Sequence, residues 1–218
     1  MSRDTLNDRI YNELRRALMA GAFEPGQKLS IRNLASSLGT SAMPVRDALR
    51  RLITERALES QPNRTIAVPQ LDAVRIQEIY KIRVVLEGLA ASEAAKNISR
   101  HDVEALETLE RDMERALSKG DIRRYTDLNW QFHFAIYRAS RMPQLVDTIE
   151  TFWLQIGPVL SRHLPILHEG TISDDHNQVI SALGRRDGRK AKAGISADLN
   201  HTCAMLVEAL SPPGRAAA

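Results

Sequence analysis

The sequence is poor in the features that mark secreted or membrane proteins. Its 218 residues include one cysteine, Cys203, so no disulfide can form within the chain. No N-terminal apolar run resembles a signal peptide, and no apolar run is long enough to span a bilayer. We therefore expect a cytoplasmic protein with no membrane partner. We expect Cys203 to pack in the protein interior as a small apolar side chain.

Common catalytic motifs are missing as well. The chain has no H-E-x-x-H helix, no G-x-S-x-G turn and no glycine-rich phosphate-binding loop. Hydrophobic residues make up 43% of it, which excludes disorder over most of its length. We expect one large or two small folded domains that bind rather than catalyse.

Charge is distributed unevenly along the chain. Residues 1–70 hold 11 Lys and Arg against 7 Asp and Glu, whereas residues 71–218 hold 19 against 20. The positive excess therefore lies in the N-terminal third. It favours a polyanionic partner for that segment.

Two short helices joined by a turn are predicted in this basic segment. After a helix near 5–20, "SIRNLASSLG" predicts a helix with Ser30 as its N-cap. "SAMPVRDALRRL" then predicts a helix over 42–55, with Ser41 as a side-chain cap and Pro44 in the first turn, where proline is tolerated. This is a helix-turn-helix pattern, whose second helix enters the DNA major groove by its N-terminal end.

The second helix separates apolar from basic residues. Its apolar positions recur at i, i+4 and i+7, and they predict a core-facing stripe of Val45, Leu49 and Leu52. Arg46 and Arg50 share a neighbouring face with Met43. In an isolated helix, a basic face of this kind is usually a set of solvated charges. In the second helix of a helix-turn-helix, the same arginines can bind the phosphates or bases of DNA.

A hairpin follows the second helix. The β-prone pieces of "ALESQPNRTIAVPQL" flank a turn with Asn63 and Arg64 at its tip. A basic tip can reach phosphates or the minor groove, so this segment predicts the wing of a winged helix-turn-helix.

The segment "EPGQKLSIRNLASSLGTSAMPVRDALRRL" resembles the N-terminal domain of the GntR superfamily of bacterial transcription regulators. The resemblance covers about the first 70 residues and implies binding to double-stranded operator DNA. The implied contacts are Arg32, Ser41, Ala42, Met43, Arg46, Arg50, Asn63 and Arg64. The chain has Ala42 where the family usually has arginine, and Arg56 and Thr65 where it usually has glycine. The change at Ala42 suggests an altered operator sequence.

The remainder of the chain predicts long helices. They are expected near 72–96, 99–118, 121–140, 142–162, 172–186 and 188–210. Short connections favour antiparallel neighbours, so we expect an all-α antiparallel bundle. The predicted fold is mainly α, with a winged helix-turn-helix over 1–69, a helical effector-binding and dimerisation domain over 70–211, and a disordered tail over 212–218.

Several polar residues lie on the apolar faces of these helices. Imidazole and carboxylate groups from three helices would suit Zn²⁺ or another first-row divalent ion, although each histidine alone could be a hydrogen-bonded core residue. The candidates are Asn129, His133, His176, Asp198 and His201. His163 and His168 are expected in a loop.

Three further motifs extend the resemblance. "YKIRVVLEGLAA", "NWQFHFAIYRAS" and "HNQVISALGRRDGRKA" resemble, in order and spacing, the FCD ligand-binding domain of the FadR-like branch. The resemblance implies a divalent metal, Zn or Ni, and a small organic acid that completes its coordination. The implied ligands are Asn129, His133, His176 and Asp198, with His201 a possible substitute for Asp198. The family usually has aspartate at the position of Asn129 and histidine at that of Asp198, so the summed ligand charge is unchanged.

Arg83 has two interpretations. The resemblance places it facing the pocket, where a guanidinium would bind an effector carboxylate through two hydrogen bonds. Alternatively it forms a salt bridge with Glu87, four residues further along the same helix.

These observations predict a homodimeric transcription regulator that reads a pseudo-palindromic operator. A small carboxylate bound in the helical domain would control its operator affinity. Two alternatives stay open from the sequence: a metal-dependent enzyme with an accessory DNA-binding domain, and a DNA-binding protein with a vestigial, empty sensor pocket.

Overall fold

The computed structural model describes residues 5–167 and 175–210, which are mostly helical. The chain divides into two compact units, one formed by residues 1–71 with 153–162 and the other by 72–152 with 163–218. The mainly α fold predicted from the sequence is confirmed. Among the helices described, none is long and apolar enough to cross a membrane.

The first unit contains a small sheet as well as helices. Its elements are α1 (Leu6–Met19), β1 (Lys28–Leu29), α2 (Ile31–Ser37), α3 (Ala42–Thr54), β2 (Glu59–Ser60) and β3 (Ile66–Ala67). The strands form an antiparallel sheet in the order β1-β3-β2, with Lys28 opposite Ala67 and Ser60 opposite Ile66. The hairpin β2–β3 is the predicted wing, and β1 is an additional strand that the sequence did not indicate.

Helix caps explain where α1 and α2 begin. Thr5 and Asp8 form a capping box at the start of α1, and the Ser30 side chain accepts a hydrogen bond from the Asn33 amide at the start of α2. Ser41 is the N-cap residue of α3, but its side chain makes no capping hydrogen bond to the described first turn. The expectation of a Ser41 side-chain cap was therefore wrong.

Apolar stripes of α1 and α3 form the core of this unit. The α3 stripe lies at full burial, as predicted, because Val45, Leu49 and Leu52 are each 0% exposed. Ile10, Leu14 and Leu18 of α1 are also buried. The opposite, basic side of α3 is left exposed.

The rest of the chain forms α4 (Ala73–Asn97), α5 (Arg100–Ser118), α6 (Ile122–Ala139), α7 (Pro143–Leu167), α8 (Asp175–Gly184) and α9 (Gly188–Leu210). Within the second unit α4 packs on α9 and α6, α5 packs on α6 and α8, and α8 packs on α9. The predicted helices are thus present with ends shifted by a few residues. His163 lies inside α7, so placing it in a loop was wrong, whereas His168 and residues 212–218 lie outside the described part.

Close helix contact explains one glycine of α9. A Cβ atom on Gly188 would lie 2.7 Å from the Ser92 carbonyl oxygen of α4. Only glycine fits this approach without a shift of backbone. Further along α9, Cys203 is half-buried rather than fully packed as expected, and burial raises the pKa of its thiol.

Four arginines have left-handed backbone conformations, which are usually taken by glycine or asparagine. Three of them follow helices: Arg56 after α3, Arg141 after α6 and Arg186 after α8, with φ of 59°, 60° and 55°. The fourth, Arg64, has φ of 62° at the tip of the wing. The family's usual glycine at position 56 is explained by this geometry.

Candidate functional site

The residues expected to contact DNA are all exposed in the first unit. They are Arg32, Ser41, Ala42, Met43, Arg46, Arg50, Asn63 and Arg64. Met43, in the first turn of α3, is 65% exposed. The Nη1 atom of Arg50 lies 3.9 Å from Asp47 Oδ1, a long surface pairing that leaves the guanidinium available to a phosphate or base.

The wing tip is a tight turn held by its own side chain. Asn63 Oδ1 accepts a hydrogen bond from the Thr65 amide at 3.1 Å, and the Gln61 amide donates to the Thr65 carbonyl at 2.8 Å. The left-handed residue is Arg64, not Thr65, so the glycine that the family usually has at position 65 is not required by a positive φ in this chain. The turn leaves Asn63 and Arg64 exposed at the tip.

Three predicted ligand residues meet inside the second unit. His133 of α6, His176 of α8 and Asp198 of α9 each offer a ligand atom, and these atoms lie within 4.8 Å of one another. The Nε2 atoms of His133 and His176 are 3.5 and 3.7 Å from the two carboxylate oxygens of Asp198. His133 is 2% exposed and His176 7%, so the cluster is shielded from bulk water.

The other ring nitrogen of each histidine is held by a buried side chain. His176 Nδ1 lies 2.7 Å from Glu110 Oε2, and His133 Nδ1 lies 3.0 Å from the Tyr137 hydroxyl. Tyr137 in turn donates to Glu87. Metal-binding histidines commonly have such a partner, since it fixes the orientation of the ring. The sequence prediction included neither Glu110 nor Tyr137.

The remaining predicted residues are placed differently. Asn129 lies one turn before His133 on α6 and is 9% exposed. His201 is not part of the cluster, because its Nδ1 atom lies 3.8 Å from Asp175 and its side chain is 43% exposed. Arg83 is 2% exposed and forms the salt bridge with Glu87, at 2.6 Å from Nε to Oε1.

Burial and charge shift the pKa values of the cluster in different directions. Burial, with a smaller contribution from the charge of His176, lowers the pKa of His133 well below 6.5. Burial alone would lower the pKa of His176 too, but the hydrogen bond to Glu110 and the charge of Asp198 raise it overall. Burial raises the pKa of Asp198, against the opposing charges of His176 and Arg83. The pKa shifts thus make His133 the harder of the two histidines to protonate and His176 the easier one.

The donor set fits a first-row divalent ion. Two imidazole nitrogens and a carboxylate are common ligands of catalytic-type Zn²⁺ sites, which keep a fourth position open. Ligand atoms about 2.0–2.1 Å from a tetrahedral ion lie about 3.3 Å apart. The separations of 3.5 and 3.7 Å, measured to the two different oxygens of Asp198, are close to this value, and all the ligand atoms lie within 4.8 Å of one another. Side-chain rotations that bring these atoms closer together would let the site take an ion.

A winged helix-turn-helix with an exposed basic helix, on one chain with a helical unit that encloses a His/Asp cluster, is the architecture of a DNA-binding transcription regulator. The chain belongs to the GntR family of bacterial transcription regulators. Residues 6–68 match the family model "Bacterial regulatory proteins, gntR family", and residues 78–201 match the FCD domain. The family and its relatives are transcription regulators that bind operator DNA, not enzymes.

Individual relatives agree with this assignment over nearly the whole chain. The chain is 30% identical over 211 residues to the HTH-type transcriptional regulator McbR of Escherichia coli (strain K12), covering 95% of this chain and 96% of McbR. It is 25% identical to a probable D-xylose utilization operon transcriptional repressor of Paenarthrobacter nicotinovorans, covering 94% and 89%.

Solved structures support the same fold. The E. coli McbR/YncC structure matches with a TM-score of 0.87 at 31% identity and covers 95% of this chain and 99% of that one. A putative GntR regulator from Rhodococcus sp. RHA1 matches with a TM-score of 0.73 at 22% identity, covering 93% and 98%. At that identity the Rhodococcus match bears on the fold alone.

Proposed function

We propose that this chain is a homodimeric regulator whose operator affinity is controlled by a small organic acid bound at a divalent metal in the FCD domain. The observation that carries the proposal is the convergence of His133, His176 and Asp198 from three helices at one buried point. A histidine that only packs in a core needs one hydrogen-bond partner. Here each histidine has that partner on Nδ1 and directs Nε2 to a shared carboxylate.

The metal would be held by His133 Nε2, His176 Nε2 and a carboxylate oxygen of Asp198. We place Asn129 as a further oxygen donor, since it is buried one turn before His133 on α6. Two imidazoles and a carboxylate favour Zn²⁺ or Ni²⁺ over Mg²⁺ or Ca²⁺. Bound there, the ion would supply an open, positively charged coordination position for an acid.

An anionic effector suits the charge around the cluster. The guanidinium of Arg83 acts on the site, because its charge lowers the pKa of Asp198 and of His133. A bound cation next to this buried arginine makes a site that attracts a carboxylate and disfavours a cationic ligand. Arg83 either contacts the effector or contributes this charge from its salt bridge with Glu87.

The DNA half of the proposal uses α3 and the wing. Arg46 and Arg50 would contact bases or phosphates in the major groove, while Asn63 and Arg64 at the wing tip would contact the backbone or the minor groove. A dimer with twofold symmetry would read two half-sites. Effector binding would change operator affinity through a coupling free energy of about 1–3 kcal/mol.

Thermal unfolding tests the sensor half of the proposal. The purified full-length protein is measured with Zn²⁺ or Ni²⁺ and a panel of small carboxylic acids, with and without a chelator. We expect the metal to raise the midpoint and one class of acids to raise it further, with the chelator abolishing both effects. Stabilisation by an acid that survives the chelator would exclude the metal as the anchor. No effect of metal, acid or chelator would support a vestigial pocket instead.

Two histidine variants show whether the response comes from the cluster. His176→Gln is expected to abolish metal stabilisation, whereas His201→Gln, on the exposed side of α9, is the matched control and is expected to keep it. If His201→Gln abolished the response and His176→Gln did not, the ligand assignment would be wrong and His201 would be the ligand.

Operator binding is tested with paired arginine variants. Arg46→Ala/Arg50→Ala removes two exposed charges spaced four residues apart on α3, and Arg111→Ala/Arg115→Ala does the same on α5. With DNA selected from a random library by the wild-type protein, the α3 pair should lose affinity and reduce the salt dependence by about one contact per arginine that reaches a phosphate. Equal losses for the two pairs would contradict binding by α3.

A further inference from the structure

A chain of buried hydrogen bonds connects α4 to His133. Arg83 Nε donates to Glu87 Oε1 at 2.6 Å, and Arg83 Nη2 donates to Glu87 Oε2 at 3.3 Å. The Tyr137 hydroxyl donates to Glu87 Oε2, and the same hydroxyl oxygen lies 3.0 Å from His133 Nδ1. Arg83, Glu87, Tyr137 and His133 are each no more than 2% exposed, so water does not interrupt the chain.

The direction of each hydrogen bond in this chain follows from chemistry. A guanidinium only donates, so the Glu87 carboxylate accepts from Arg83. A tyrosine hydroxyl has one proton, and Tyr137 gives it to Glu87. Toward His133 the Tyr137 oxygen can then act only as an acceptor. The donor in that contact must be an N–H at Nδ1 of His133.

We propose that Tyr137, Glu87 and Arg83 are positioning residues that hold the neutral imidazole of His133 in its Nδ1–H tautomer. Its unprotonated Nε2 atom is thereby directed at Asp198 and the centre of the cluster. In free neutral histidine both tautomers are accessible, and an Nε2–H imidazole has no lone pair there for a metal. The tautomer itself needs no metal, but its use as a ligand rests on the proposed metal site.

The two histidines are fixed by different means. His176 contacts the Glu110 carboxylate directly, and this contact helps to raise its pKa. His133 contacts a neutral hydroxyl, and the carboxylate that orients this hydroxyl is one residue further away. This arrangement fixes the ring without placing a carboxylate at Nδ1 of His133.

The proposal gives Arg83 a role that needs no contact with an effector. The guanidinium donates to both carboxylate oxygens of Glu87, through Nε to Oε1 and through Nη2 to Oε2. Both oxygens therefore act as acceptors, and Oε2 also accepts from the Tyr137 hydroxyl. Arg83 keeps Glu87 an acceptor and so sets the direction of every later hydrogen bond.

Nitrogen NMR of the histidine rings tests the tautomer directly. The full-length, metal-free protein is labelled with ¹⁵N-histidine, and the His133 signals are assigned by their loss in His133→Gln. We expect Nδ1 of His133 to be protonated and Nε2 unprotonated in the wild-type protein. The opposite pattern would overturn the proposal without the use of any positioning variant.

Two tyrosine variants then test whether the Tyr137 hydroxyl determines the tautomer of His133. Tyr137→Phe removes the acceptor of His133 Nδ1, and we expect it to give a mixture of tautomers or the Nε2–H form. Tyr11→Phe is the matched control: Tyr11 is also a buried tyrosine whose hydroxyl donates to a carboxylate, that of Glu55, but it belongs to the first unit. The Tyr11 variant should keep the wild-type pattern. An unchanged His133 tautomer in Tyr137→Phe would overturn the proposal.

Zn²⁺ titration gives a second readout. We expect Tyr137→Phe to weaken Zn²⁺ binding by about 10–100-fold, as loss of an outer partner of a ligand does, and Tyr11→Phe to leave it unchanged. Equal affinities of the two variants would refute the positioning role in metal binding. If the wild-type protein bound no Zn²⁺, the proposed metal site would fail, and the NMR result would still decide the tautomer.

Discussion

The buried salt bridge between Arg83 and Glu87 allows a quantitative prediction about the stability of the helical unit. The two side chains are 2% and 0% exposed and are four residues apart on α4. Glu87→Gln removes the negative charge but keeps an oxygen that can accept from Tyr137. Arg83→Met removes the positive charge and keeps a long side chain that fills most of the same space.

Each single variant leaves one buried charge without its partner. Removal of one member of a buried pair costs about 3–5 kcal/mol, because the remaining charge loses its counter-charge and stays out of water. Domains are stable by about 5–15 kcal/mol, so either variant should remove a large part of the stability. The double variant leaves no charge. It should therefore cost less than the sum of the two single variants, by about 3 kcal/mol or more.

Urea unfolding of the metal-free protein, followed by circular dichroism, measures the three free energies. Because the chain has two compact units and its unfolding need not be two-state, amide hydrogen exchange in α4 serves as a local measure. Single-variant costs below about 1 kcal/mol, or a double variant whose cost equals the sum, would refute the claim that this pair is desolvated and strongly coupled.

Three further predictions concern the backbone and the pH dependence. Arg141→Gly should stabilise the protein by about 1 kcal/mol in urea unfolding, because φ of 60° is unfavourable for a residue with a Cβ atom, whereas Arg141→Ala should give no such gain. Gly188→Ala should destabilise it by about 1–3 kcal/mol, since the added Cβ would lie 2.7 Å from the Ser92 oxygen, and an unchanged midpoint would contradict this contact. Zn²⁺ affinity should be highest at pH values above the raised pKa of His176 and should fall as the pH drops through that pKa. The reason is that the metal must displace the His176 proton, which the hydrogen bond to Glu110 helps to retain. Calorimetric titration at a series of pH values from about 6.5 upward checks this, and a pH-independent affinity would contradict it.

Much of the fold could be predicted from local sequence signals. The helix in "SIRNLASSLG" begins after Ser30 because its side chain caps the first turn, and the Val45, Leu49 and Leu52 stripe is buried because its spacing matches one face of a helix. Strand β1 could not be predicted in the same way. It is two residues long and exists only through pairing with β3, about 40 residues later in the chain.

The candidate ligand residues of the site could be predicted from the sequence, but the residues that hydrogen-bond to those ligands could not. His133, His176 and Asp198 were noticeable as polar residues on apolar faces, whereas Glu110 was not considered. A signal was present, since Glu110 interrupts a buried stripe of α5 between Leu106 and Met113. A charged residue at such a position needs a buried partner, but only the packing of α5 on α8 shows that the partner is His176.

Tyr137 shows a different limit. It was treated as a packing residue, although it lies four residues after His133 and therefore on the same face of α6. Spacing alone does not show whether its hydroxyl donates to or accepts from the imidazole. That direction is set by Glu87, which comes from another helix.

The chain differs from the family pattern at two candidate ligand positions, Asn129 and Asp198. The carboxylate at Asp198 changes how the site behaves when no metal is bound. Where the family usually has histidine, Asp198 brings a carboxylate to within 3.7 Å of both Nε2 atoms. A buried carboxylate beside neutral imidazoles would be costly, and the cluster avoids this because His176 has a raised pKa and can retain a proton between Asp198 and Glu110. Metal binding in the proposed site is then an exchange of this proton for a cation, with the charge of Asp198 compensated in both states. In an Asp198→His variant the added imidazole has its own proton to lose, but His176 no longer has the carboxylate that helps to raise its pKa. The transition in metal affinity that His176 causes should therefore lie at lower pH in Asp198→His than in this protein.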